Sequence, residues 1–95
     1  MVAGMGGTAG LAAPDAVSSL VKHYAGYSVP WGGHNAAPSQ LGGVRGLLQE
    51  YLPVFRKAIA AGAQGAMSSY NEVDGVPTSG DPWLLTDVLR GQLGL

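Results

Sequence analysis

The chain has no cysteine among its 95 residues. That excludes disulfides and thiolate zinc sites within it, and it fixes no compartment, because cysteine-free proteins occur in oxidising and reducing surroundings alike. Charge is also scarce. Asp, Glu, Lys and Arg make up 12% of the residues, against about 25% in an ordinary soluble domain. The formal net charge is -1 and no block of like charge occurs, so neither nucleic acid nor a membrane surface is expected as a partner. No apolar run approaches the roughly 20 residues that span a bilayer. The leading residues lack the basic and apolar regions of a signal peptide. A free-standing chain this small must cover its surface with polar groups, whereas a piece from the inner layers of a larger structure need not. The low charge therefore points to a portion of a larger protein.

What the chain has in quantity is glycine, 16 residues. Gly4-Met5-Gly6-Gly7-Thr8-Ala9-Gly10 has the composition of a phosphate cradle, but no strand pattern precedes it and no Lys-Ser/Thr pair follows. Residues 1–14 read instead as a loop or a frayed leading segment. Residues 17–24 read as a strand with Val17, Leu20, Val21 and Tyr24 as its apolar content, and 26–39 as a long loop. Leu41, Val44, Leu48, Leu52, Phe55 and Ile59 recur at spacings of three and four, one apolar helical stripe. Pro53 lies inside it, and a proline there removes a backbone donor and crowds the preceding turn, so a kink or restart is expected near 49–51. Ala61-Gly62 closes the helix. Residues 65–70 form a second short strand. A loop over 71–80 turns at Asp74-Gly75, and Asp81-Pro82 opens a second helix over 83–90. Strand, helix, strand, helix is the order of an α/β chain with a parallel sheet. Its long loops follow the strands, where a (β/α) barrel carries its chemistry.

Specific words now carry a resemblance. Lys22-His23-Tyr24-Ala25-Gly26-Tyr27-Ser28, the loop Pro30-Trp31-Gly32-Gly33-His34-Asn35-Ala36-Ala37-Pro38, the helix word Tyr51-Leu52-Pro53-Val54-Phe55, the run Met67-Ser68-Ser69-Tyr70-Asn71-Glu72-Val73-Asp74-Gly75-Val76-Pro77, and Trp83-Leu84-Leu85-Thr86-Asp87-Val88-Leu89-Arg90-Gly91 stand in this order. Together they resemble glycoside hydrolase family 3, of the β-glucosidase type, over nearly the whole chain. Departures are His34 where the family usually has Arg, Gly42-Gly43-Val44 in place of a more charged helix start, and Leu93-Gly94-Leu95 in place of Trp-Gly-Phe.

The resemblance implies that residues 1–95 are an internal piece of that family's N-terminal domain, a partial TIM-like (β/α) barrel of about two strand-helix units. It implies a retaining β-glycosidase that hydrolyses O-glycosidic bonds at non-reducing ends. The nucleophile would lie on the strand after Leu95 and the acid/base in a second α/β domain, so this stretch alone is expected to be inactive. No cofactor and no metal are implied. The implied partners are a β-linked glucoside or oligosaccharide, the remainder of the barrel, and the second domain. Family members that cleave N-acetylglucosamine carry Gly-His-Gly-Asp after the Lys-His word. Here Gly26-Tyr27-Ser28 stands in that place, which favours the glucosidase or xylosidase branch, and Pro30 with Ala25-Gly26-Tyr27-Ser28 favours glucosidase. A β-xylosidase and a truncated, non-catalytic barrel remnant are the alternatives.

By the same resemblance the substrate-binding residues are Lys22, His23, Met67 and Tyr70, expected at the C-terminal ends of two neighbouring parallel strands and opening onto one cavity. Without it, Lys22 and His23 are a surface lysine beside a core histidine, and Met67 and Tyr70 are packing residues. Adjacent side chains on a regular strand point to opposite faces. For Lys22 and His23 to serve one sugar the backbone must deform, and the family suggests a cis non-proline bond there. His23 and His34, with no nearby carboxylate, make a poor metal site. Glu72 and Asp74 look like a catalytic pair but read as a loop anchor and a turn residue. Glu50 reads as a solvated helix residue and Asp81 as a helix cap. Trp31 either stacks on a sugar ring or packs within its loop.

Overall fold

The structure is a computed structural model and describes residues Met1–Leu95. Two strands, Leu20–Tyr24 (β1) and Gly65–Ser68 (β2), pair in parallel, with Leu20 opposite Gly65, Val21 opposite Ala66 and Tyr24 opposite Ser68. Parallel neighbours need a crossover, and the helical stretch between them supplies it. β1 begins three residues later than the run from Val17 predicts. The Val17 N–H donates to the Met5 carbonyl at 2.8 Å, and the sheet takes over only at Ser19, whose carbonyl accepts the Gln64 N–H at 3.1 Å. Met5 itself ends a single helical turn, Val2–Met5 (α1), inside the glycine-rich stretch.

The crossover helix is one path in three windings: Gly43–Gly46 (α2), a π-helical stretch Leu47–Tyr51, and Leu52–Ala60 (α3). The disturbance falls where Pro53 demands it. Its ring cannot donate to the carbonyl of residue 49 and crowds that turn, and the preceding residues open to the wider i→i+5 winding. This shifts the apolar face. Leu41, Leu52 and Phe55 are buried as the stripe predicts, but Val44 and Leu48 are exposed and Leu47, five residues before Leu52, is fully buried in their place. Gly46 is required here for space. A Cβ at that position would overlap the carbonyl of Leu41.

After β2 the predicted loop contains a small hairpin, Glu72–Val73 (β3) against Val76–Pro77 (β4), in antiparallel register. Asp74 and Gly75 both have positive φ, 52° and 82°, the backbone of a two-residue type I′ turn. The final helix, Trp83–Gln92 (α4), is π-wound and runs two residues past the predicted end. Asp81 caps it: its Oδ1 accepts the Leu84 N–H at 3.2 Å.

The core gathers Tyr24, Leu47, Leu52, Phe55, Val73, Leu84, Val88 and Leu89 under one face of the strand pair. Tyr24 is its centre. The ring meets Phe55 edge-on, centroids 5.0 Å apart, and the hydroxyl donates to the Leu84 carbonyl at 3.0 Å. Burial, and secondarily the negative charge of Asp81, push the Tyr24 hydroxyl well above its usual pKa. The core is small: 17 of 95 residues are buried. The radius of gyration, 14.3 Å, exceeds the roughly 12 Å of a compact chain of this length. Neither β1 nor β2 has a strand on its outer edge. No helix is long and apolar enough to cross a membrane.

Candidate functional site

Val21 and Ala66 pack against the core, so alternation turns their strand neighbours to the opposite, uncovered face. Leu20 and Met67 are 56% and 41% exposed there. The pairing then changes step. From Val21 to Tyr24 the first strand advances three residues while the second, from Ala66 to Ser68, advances two. Lys22 and His23 together therefore face the single residue Met67, as in a β-bulge, which re-aims the side chains of the bulged strand. The Lys22-His23 and Tyr24-Ala25 peptide bonds are cis.

Lys22 and His23 line a hollow of about 360 Å3 with Gly26, Tyr27, Ser28, Glu50 and Tyr51. The His23 ring lies on Tyr27, centroids 4.3 Å apart, and Tyr27 donates its hydroxyl to Asn35 Oδ1 at 2.7 Å. Lysine brings up to three donors, and imidazole one donor and one acceptor when neutral, a set suited to sugar hydroxyls. Sequence reasoning missed Glu50, Tyr27 and Tyr51 as neighbours of this pair. Glu50 is exposed as expected, but it belongs to the π-wound stretch, and an ordinary helical period drawn from Leu52 does not aim it at β1.

Met67 and Tyr70 stand at the same end of the parallel pair, and Tyr70 is 68% exposed. The structure does not bring all four residues to one cavity: neither Met67 nor Tyr70 lines the hollow. Around Tyr70 the backbone is held firmly. Ser69 and Asn71, its two neighbours, are fully buried. Trp31 is 60% exposed on the first loop, and so is not packed inside it.

Three of the carboxylate residues have places in turns, loops and caps. Asp74 makes the hairpin turn. Glu72 anchors a loop through its backbone, its carbonyl accepting the Ser39 N–H at 3.0 Å. Asp81 is engaged at the cap. No three His, Asp or Glu side chains cluster. Lys22, His23, Ser28 and Glu50 bring hydrogen-bonding groups to one hollow. Transfer of a glycosyl group needs two carboxyl groups about 5–5.5 Å apart for retention.

Comparison with known proteins gives one answer. The model of the glycosyl hydrolase family 3 N terminal domain matches residues 1–95. A periplasmic β-glucosidase of Salmonella typhimurium is 35% identical over 78 residues, 82% of this chain and 10% of that protein. A β-xylosidase of Formosa agariphila is 37% identical over 79 residues, 82% of this chain and 11% of its own length. Among solved structures, a β-glucosidase from Listeria innocua in complex with glucose superposes with a TM-score of 0.89 at 38% identity, over 98% of this chain and 13% of that one. The chain thus spans about a tenth of the length of the curated relatives it matches.

Proposed function

The chain belongs to glycosyl hydrolase family 3, and on that premise we propose that it is a two-unit piece of a (β/α) barrel that holds the sugar of a β-linked glucoside for retaining hydrolysis. Lys22 and His23 bind hydroxyls, Met67 offers an apolar surface to the ring, and Tyr70 places its hydroxyl at the reacting centre. The nucleophile and the acid/base come from elsewhere in a longer protein, together with the strands that close the barrel and a second α/β domain. The observation that supports this reading is the two-against-one step of β1 on β2, in which Lys22 and His23 together stand opposite Met67. The unpaired outer edges of both strands support the barrel part of it. A β-glucosidase reading is favoured by Ala25-Gly26-Tyr27-Ser28 and Pro30. A β-xylosidase is the second reading, supported by the xylosidase relative.

The test is expression of the complete reading frame with assays on 4-nitrophenyl β-glucoside and β-xyloside. The glucoside is expected to be the better substrate. His23→Ala and Lys22→Ala should each lower kcat/KM at least about tenfold, the loss of one hydrogen bond used in the transition state, with the melting temperature kept. A preference for the xyloside selects the second reading. Unchanged kcat/KM in both variants removes the pair from the site, and an inactive complete protein leaves the non-catalytic remnant. Residues 1–95 alone should release no nitrophenol.

A further inference from the structure

Three polar residues are fully buried in this small core: Ser69, Asn71 and Thr78. They interlock. Ser69 Oγ donates to Asn71 Oδ1 at 2.6 Å. Thr78 Oγ1 shares its one hydroxyl proton between the carbonyls of Ser69 at 2.5 Å and Asn71 at 2.9 Å. Asn71 Nδ2 reaches out of this group and donates to the carbonyl of Ala37, 34 residues earlier in the chain. Ala37 belongs to the loop after β1, which is closed on itself by the Pro30–Ser39 bridge and by the Trp31 N–H donating to Pro38 at 2.9 Å. The adjacent residue adds a second tie, the Ser39 N–H on the Glu72 carbonyl.

We propose that Asn71 is a positioning residue that locks the loop after β1 to the segment after β2, so that Tyr70 and the loop bearing Trp31 hold a fixed relation. This rests on the reading of Tyr70 as a sugar-site residue. An amide is suited to the task because one end accepts from Ser69 while the other donates to Ala37. Aspartate keeps the first bond and loses the second, and alanine loses both. A buried, fully satisfied polar group of this kind specifies one arrangement where an apolar contact would tolerate several. Tyr70, between two fully buried neighbours, is thereby aimed outward, and the exposed Trp31 travels with the clamped loop.

The experiment has two arms, both on the complete protein. In the first, hydrogen exchange is followed in Asn71→Ala, Asn71→Asp and, as a milder variant that should fold if those do not, Ser69→Ala. The amides of Trp31, Ser39 and Gln40 should exchange at least about tenfold faster, while those of Leu52–Ala60 keep their rates. Uniform acceleration, or none, overturns the clamp. In the second arm, Asn71→Ala is measured with and without Tyr70→Phe. Positioning of Tyr70 predicts that the Asn71→Ala loss of kcat/KM, about tenfold in the parent, falls below about threefold in the Tyr70→Phe background. Equal losses in both backgrounds overturn the positioning role. If Tyr70→Phe alone leaves kcat/KM unchanged, the sugar-site reading of Tyr70 and the positioning role built on it fall, whereas selective exchange in the first arm still upholds the clamp.

Discussion

On one face of the β1–β2 pair, Val21, Tyr24 and Ala66 lie against helices; on the other, Leu20, Lys22 and Met67 lie open. The residues alternate along the same two strands, so backbone propensity cannot explain the contrast. On the covered face side chains meet the helices, and volume and hydrogen bonding decide what is tolerated where they touch. On the open face side chains carry little of the fold and are free to be chosen for chemistry. The step in register between Val21 and Tyr24 is where one regime gives way to the other, because it turns a strand that would send Lys22 and His23 apart into one that presents both opposite Met67.

The severest way to break this contrast is to deprive the open face of any cover. Residues 1–95 alone leave Leu20, Val54 and Met67 exposed beside unpaired strand edges, so the isolated chain should show no cooperative thermal transition and should self-associate. A sharp, concentration-independent melt of a monomer would count against it. Within the complete protein, Tyr24→Ala should cost about 3–5 kcal/mol, the range for deleting a buried aromatic, read from the denaturant midpoint. A loss below about 1 kcal/mol would mean that Tyr24 is not the centre of the covered face.

Gly46→Ala tests the helix path beneath that face. The new methyl would meet the Leu41 carbonyl, and overpacking against backbone should cost about 1–3 kcal/mol; a neutral result would show that the π-wound stretch yields. A smaller effect is set by pH. The folded Tyr24 hydroxyl is raised above its ordinary value by burial first and Asp81 second. Below about pH 10 both folded and unfolded chains hold this proton and the contribution is complete. Above it the unfolded tyrosine ionises while the folded one stays protonated, so the unfolded state binds fewer protons and stability falls as pH rises. Tyr24→Phe removes this response and the bond to Leu84, losing about 1 kcal/mol at neutral pH. Its denaturation midpoint should therefore fall less than the parent's between about pH 8 and 11; parallel declines would remove Tyr24 as the cause. The smallest change in stability belongs to the open face. Met67→Ala should stay within about 0.5 kcal/mol while raising KM for the sugar. A large loss of stability would move Met67 to the covered side.

Much of this was readable in the chain. The strand-helix-strand-helix order, the disturbance before Pro53, the turn at Asp74-Gly75 and the cap at Asp81 rest on local rules of donors, ring sterics and φ, and all four appear in the structure. The apolar stripe was legible only in part. Its spacing assumes an ordinary helical period, and the π winding exchanged Val44 and Leu48 for Leu47. Met67 lies within β2, but β2 ends at Ser68, so Tyr70 falls two residues beyond the strand expected over 65–70; that neither lines the Lys22–His23 hollow was not legible, since cavities depend on which elements lean together.

The sequence by itself determined the element types, the covered set Tyr24, Leu52 and Phe55, and the family, because these follow from neighbours along the chain and from the order of its motifs. Only the tertiary structure decided the two-against-one step at Lys22–His23, the approach of Glu50 to that pair, and the clamp from Asn71 to Ala37. Each of these joins residues distant in the chain or depends on the register between two strands. No periodicity within one segment encodes the pairing of atoms that meet only after both segments have folded.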